Sequence, residues 1–409
     1  MKYYHRENYL KKIRGFYHDT GLIKVITGVR RCGKSCLMET IAEELLEQGI
    51  LPEQIIYIDL DRKPYRGVKT QEQLEALIDG FSTSEKTKYV FIDEIQNVSG
   101  FEEVLNGYRG EEEYSLFITG SNSYLLSGEL VTKLTGRYLE FEIFPLTFEE
   151  YIDMKVFRGY QIDSNLTSEF DQYILDGGFP KVLEYASIED RKTYVRGVIQ
   201  EIFEKDIKRR VKIKNVSAFN QVQTYIINNF GATVSLSNIL KDIHKNGCNI
   251  KRETLNRYIQ ILIDAKILYK CSRFDLKSRR SMKGEQKYYL ADSGFYFATN
   301  TDNRVHYGPI LENIVYIYAL SKGYSVSVGR IGKLECDFIM RSIHNEYAYV
   351  QVAMTIMESM ETEDREYKPL EQIKDNYSKY VLTRSDMIQH RRGIIHANIP
   401  AFMKEGKVF

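Results

Sequence analysis

The sequence has no tryptophan, only five cysteines and no long apolar run, and its 57 Lys+Arg and 56 Asp+Glu nearly cancel. Each shortage excludes something. No stretch approaches the ~20 apolar residues that a membrane-spanning helix needs. The opening "MKYYHRENYLKKIRGFY" carries charge with no apolar segment behind it, so it does not read as a signal peptide. Cys32, Cys36, Cys248, Cys271 and Cys336 form no CxxC pair and no Cys/His cluster of zinc spacing. They read as isolated, reduced thiols, and these features together point to a soluble, cytoplasmic protein with no membrane partner. A net charge of +1 excludes a uniformly basic coat, so any nucleic-acid surface has to come from local clustering.

What is present is length and pattern. A chain of 409 residues has room for two or three domains, each with its own core. Up to residue 147, short β-branched runs alternate with amphipathic helical patterns. The strand candidates are "KVIT" (24–27), "IIYIDL" (55–60), "YVFIDE" (89–94), "LFITGS" (116–121) and "YLEFEIFPL" (138–146). That alternation predicts a parallel sheet covered on both faces. Residues 148–212 turn helical, interrupted at "DGGFP", and read as a helical appendage or lid. Over 213–300, three short helices precede two strand-like runs, "ILYKCSRFD" and "QKYYLAD", joined by the basic loop "LKSRRSMKGE". Ser235 and Ser237 suit a helix N-cap there, and the order is the outline of a winged helix. Residues 301–409 return to a helix and several strands.

Within the first segment, "GVRRCGKS" (Gly28, Val29, Arg30, Arg31, Cys32, Gly33, Lys34, Ser35) matches G-x-x-x-x-G-K-S/T completely. It follows an apolar strand and opens the helix that starts at Cys36, the context the motif requires. Gly28 and Gly33 let the backbone curl so that its N–H groups face phosphates. Lys34 brings a cation to the β- and γ-phosphates, and Ser35 a hydroxyl to Mg²⁺. "YVFIDE" ends an apolar strand with Asp93, suited to holding the metal, and Glu94, suited to orienting or deprotonating the attacking water. At the end of "LFITGSNS", Asn122 is placed either to touch the γ-phosphate and that water or to be an ordinary polar strand end.

Together with "LTGRYLEFEIFPLTFEEY", these motifs resemble a prokaryotic AAA-type P-loop ATPase, with an AAA_14-like core and a C-terminal domain of unknown function, number 4143. The resemblance runs over nearly the whole chain. It implies an α/β fold: an AAA-type parallel-sheet core of five strands, then the winged-helix module and a tail like the PD-(D/E)xK restriction endonucleases. It also implies ATP and Mg²⁺ as ligands and ATP hydrolysis; a homo-oligomer is a further partner to test for. Arg137 falls at the "GR" position, where a cation could serve as an arginine finger in its own or a neighbouring subunit. The alternative is a surface arginine paired with a carboxylate.

Lys266, Lys270, Arg273, Lys277, Arg279, Arg280, Lys283 and Lys287 crowd the 266–287 hairpin, opposed only by Asp275 and Glu285. Lys251, Arg252, Asn256 and Arg257 lie on the 251–258 helix, where Tyr258 is a candidate packing residue. These two segments are the expected contacts with duplex DNA; a protein partner or a merely solvated loop are the alternatives. In the tail, the resemblance aligns Glu312, Asp337 and Gln351 with the metal-binding positions of the nuclease fold. Ala353 stands where the catalytic lysine belongs, so the expectation is a nuclease-like domain that does not cut.

Overall fold

Five apolar runs become the strands of a first sheet: β1 (Ile23–Thr27), β2 (Ile55–Asp59), β3 (Lys88–Asp93), β4 (Tyr114–Thr119) and β5 (Tyr138–Glu142). The computed structural model describes residues 3–81, 87–120, 134–209, 211–276, 280–300 and 305–409, with the backbone alone for 280–285. The chain divides into two units, Met1–Ile143 and Phe144–Phe409.

In the first unit the spatial order is β2-β3-β4-β1-β5, and every pairing is parallel. Every residue of β1 and β4 is buried, which is why both read as continuous apolar runs instead of alternating ones. One face is filled by Val25, Ile58, Val90, Ile92, Leu116 and Ile118, closed by Leu74, Val104 and Leu105 from the helices Gln71–Asp79 and Phe101–Gly110. On the same strands, Phe91 and Phe117 stack with ring centroids 4.6 Å apart. Thr70 caps the helix Gln71–Asp79 in a reciprocal box with Gln73.

The second unit begins with the helices Phe148–Phe157, Leu166–Asp176 and Ile188–Glu201. Val216–Asn228, Leu236–Lys245 and Arg252–Asp264 follow, and Ser235 accepts a bond from the Asn238 N–H at the start of the second of these. Then come β6 (Leu268–Asp275), β7 (Arg280–Leu290), β8 (Ser325–Ile331), β9 (Leu334–Arg341), β10 (Tyr347–Ala353), β11 (Ser378–Thr383) and β12 (Ile395–Asn398). All seven belong to one sheet, ordered β12-β11-β10-β9-β8-β6-β7. The hairpin β6–β7 is therefore not a free wing beside a separate tail. Parallel pairing of Arg273 with Val328 and of Asp275 with Arg330 joins it to β8, so no sheet boundary falls near residue 300. β10 lies inside this sheet, antiparallel to β9 and parallel to β11, and all but its first residue are buried.

The "DGGFP" interruption has a physical cause. Gly177 has φ +73°, and a Cβ there would lie 1.9 Å from Asp292 Oδ1; at Gly178 a Cβ would lie 2.2 Å from the Leu146 carbonyl oxygen. No side chain fits at either position. Asp292 Oδ2 accepts the Gly178 N–H at 2.6 Å while Oδ1 accepts the Gly294 N–H at 2.8 Å, stitching the helical segment to the helix Ser293–Thr299. Replacing Asp292 by Asn turns one acceptor into an NH₂ facing a buried N–H. Asp292→Asn should therefore lose about 1–3 kcal/mol, seen as an earlier urea midpoint by circular dichroism. An unmoved midpoint would refute this role.

Candidate nucleotide site

The loop after β1 is built around close approach. A Cβ on Gly28 would lie 2.2 Å from the Ile143 carbonyl oxygen and 2.9 Å from Cys32 Sγ, and φ there is +142°. Arg31 and Gly33 also take positive φ, at 69° and 107°, which curls the backbone before the helix Lys34–Glu47 begins. Lys34 folds back over this curl, and its buried Nζ donates to the carbonyls of Gly28 at 2.9 Å and Val29 at 3.3 Å. Val29 and Cys32 are buried packing residues of the loop, whereas Cys36 is exposed. Burial pushes the Cys32 thiol above its ordinary pKa, so it acts as an inert small hydrophobe with its Sγ 3.6 Å from the Ile143 carbonyl.

Asp93 ends β3 beside this loop and is 3% exposed. It is hydrogen-bonded by the Ser35 side chain and by Thr119 Oγ1. Burial pushes its carboxyl up to about 6; the Ser35 and Thr119 bonds oppose the rise, and the charges of Glu94 and Asp59 add to it. The buried Asp93 and the exposed Ser35 thus form a pair of hard oxygen donors at the mouth of the phosphate loop, a chemistry suited to Mg²⁺. Glu94 leaves the strand with φ +57°, its N–H held by Thr119 Oγ1 at 3.2 Å. Gln96 Nε2 donates to its carboxylate, and Arg30 Nη1 lies 3.7 Å from it. The two acids that adjoin in sequence therefore diverge, one into the interior and one toward Arg30.

The structure brings Gly28, Arg30, Gly33, Lys34, Ser35, Asp93 and Glu94 together. Thr119 and Gln96 are functional candidates that the motifs alone miss. Thr119 reaches Asp93 because β3 and β4 are neighbours, a fact of sheet order with no local signature. Asn122 lies outside the described residues. Arg137 is elsewhere: its carbonyl accepts the N–H of Ile23, at the start of β1, and its exposed guanidinium donates to Asn106 at 3.1 Å. The phosphate loop begins at the other end of the five-residue strand, roughly 16 Å away at 3.3 Å per residue. Contact with a phosphate in its own loop is out of reach.

In the second unit, Arg252, Asn256 and Arg257 are exposed on one helix with the exposed Lys251 at its N-cap, while Tyr258 is buried and donates to the Asn215 carbonyl at 3.3 Å. The basic hairpin needs correction. Arg273 and Lys287 point inward and are buried in ion pairs, so neither is offered to a phosphate. Lys277 and Arg279, and the side chains of Arg280 and Lys283, lie outside the described residues. Glu312, Asp337, Gln351 and Ala353 do meet, lining one cleft of about 480 Å³.

Among the described residues, no helix is long and apolar enough to cross a membrane. The family described as an AAA domain matches residues 20–152. A domain of unknown function, number 8612, matches residues 167–304. A walker-type ATPase of Pyrococcus abyssi has a similar structure at 17% identity, with TM-score 0.52 over 72% of this chain and 95% of that one, a likeness of fold. The protein MJ1544 of Methanocaldococcus jannaschii is 28% identical over 378 residues, covering 89% of this chain and 82% of its own. An uncharacterized protein of Haemophilus influenzae is 36% identical over 380 residues, 92% of each chain. The chain belongs to the same family as that Haemophilus protein, one whose N-terminal unit is an AAA-type P-loop ATPase domain.

Proposed function

We propose that the chain binds ATP with Mg²⁺ and hydrolyses it, and that the nucleotide state governs a DNA-contacting module in the second unit. The observation that carries the first part is the joint placement of the curled loop, Lys34, the Ser35–Asp93 pair and Glu94 at one end of the sheet. Ser35 and Asp93 would hold Mg²⁺, which would neutralise charge on the phosphate oxygens. Lys34 exchanges its two carbonyl partners for phosphate oxygens, and the loop N–H groups take the rest of the negative charge. Glu94 orients the attacking water; its contacts with Gln96 and Arg30 hold it ready until nucleotide arrives.

Two substitutions separate binding from chemistry. Lys34→Ala should weaken ATP binding and turnover together. Glu94→Gln should leave binding within a few-fold while turnover drops by about 10²-fold, the usual scale for a positioned general base. Filter binding and phosphate release measure both. Wild-type binding and turnover in Lys34→Ala would refute the site.

Arg137, out of reach of its own loop, supports a homo-oligomer in which it serves the neighbour's γ-phosphate. Inactive Arg137→Ala chains mixed with inactive Lys34→Ala chains should then regain turnover. No recovery at any mixing ratio would remove this role.

The second part rests on the exposed Lys251, Arg252, Asn256 and Arg257, on a helix followed by a hairpin in the order of a winged helix. Duplex DNA should bind with affinity falling steeply as salt rises, and Arg252→Glu with Arg257→Glu should weaken it at least tenfold and flatten that slope. Fluorescence anisotropy across a salt series tests it. Unchanged affinity would favour the alternative, a regulator that uses this surface on an acidic protein partner. ATP turnover with and without duplex and single-stranded DNA, with the DNA run on a gel, completes the comparison. Divalent-dependent cutting abolished by Asp337→Ala would instead mark an active nuclease.

A further inference from the structure

Two acids of the cleft in the second unit are held by a cation from a strand that does not line it. Its floor is acidic: Glu312 from the helix Tyr307–Ser321, Glu335 and Asp337 from β9, and Glu366 from the helix Met360–Glu371. Ala353 at the end of β10 offers neither charge nor proton. Lys287 arrives instead from β7, across the sheet. Its Nζ lies 3.0 Å from Glu312 Oε2 and 3.0 Å from Glu335 Oε1, and the residue is 5% exposed.

The neighbouring polar groups are paired as well. Tyr289 donates to Glu312 Oε2 at 2.8 Å, and Arg273 pairs with Glu335. Arg365 pairs with Glu366 at 2.8 Å. Asp337 accepts the Val352 N–H at 2.8 Å, and the Gln351 side-chain oxygen accepts the Asp337 N–H at 3.3 Å. Lys287, Arg273 and Arg365 are matched to Glu312, Glu335 and Glu366, and among the described residues Asp337 and Glu358 are the lining acids with no ion pair.

The spacing distinguishes an ammonium from a metal. A small divalent ion draws oxygens to about 2.0–2.6 Å from its centre, whereas an ammonium holds them at hydrogen-bond length. Among the described residues, no three carboxylates of this cleft bring oxygens within 4.8 Å of one another. We propose that Lys287 is the resident cation of this cleft, an internal ammonium seated where a divalent ion would otherwise be held. The inference is independent of the ATPase reading.

Mn²⁺ is the probe, counted by electron paramagnetic resonance on the full chain without nucleotide. Each protein is compared with the same chain carrying Asp337→Asn, so that Mn²⁺ held near Ser35 and Asp93 cancels. Wild type and Asp337→Asn should bind the same amount. Lys287→Met, if it is the removal of a seated cation, should bind one more Mn²⁺ per chain than Lys287→Met with Asp337→Asn. An Asp337-dependent Mn²⁺ in the wild type would overturn the proposal, as would a folded Lys287→Met that gains none. The wild-type pair carries no change at Lys287, so it tests the proposal even where Lys287→Met unfolds.

Discussion

Parallelism of the first sheet is the constraint on which the candidate site depends. Five strands running the same way deliver all their carboxyl ends to one side, where a ligand can meet backbone and side chains from several strands at once. With β4 between β3 and β1, Thr119 stands between the acid of one neighbour and the phosphate loop of the other. The same rule sends Arg137, at the amino end of β5, to the opposite side. Its distance from its own loop follows from strand direction alone.

How much of this is legible in the sequence tracks how local each determinant is. The phosphate loop is readable because eight consecutive residues carry it, and Asp93 because an apolar run ending in paired acids can hardly be anything but a strand end facing a ligand. The five strand segments of the first unit are recognisable for the same reason, to within a few residues at their ends. Thr119 is not, because its partner lies in another strand. The hairpin is readable as a hairpin, but its parallel pairing with β8 joins segments some fifty residues apart and leaves no periodic trace. Arg273 and Lys287 read as part of the basic loop because charge is visible in sequence and direction is not. Gln351 looks odd in an apolar strand. Its oxygen in fact satisfies the backbone N–H of Asp337, a need created only when β9 and β10 pair.

The second unit places several charges in its interior, and that choice has an energetic signature. Buried ion pairs contribute little net stability over well-packed apolar side chains, but removing one partner leaves a costly unpaired charge. Arg191 with Asp176, Lys155 with Glu169, and Lys287 with Glu312 and Glu335 all join separate elements. They make the packing of this unit specific more than they make it strong: a slipped register or a misplaced helix strands a charge in the interior.

Ile143 packs against the phosphate loop at the end of the first unit. Its N–H donates to the carbonyl of Thr27, the last residue of β1, and its own carbonyl touches the space over Gly28 and lies within reach of Cys32 Sγ. It is also the final residue of the first unit before the chain passes into the second. The loop that closes on phosphate and the peptide that leads out of the ATPase domain therefore share one small, tightly packed joint with no slack for a methyl group. A side chain at position 28 could be seated only by displacing Ile143, so the smallest substitution in the loop is also an insult to the last peptide of the unit.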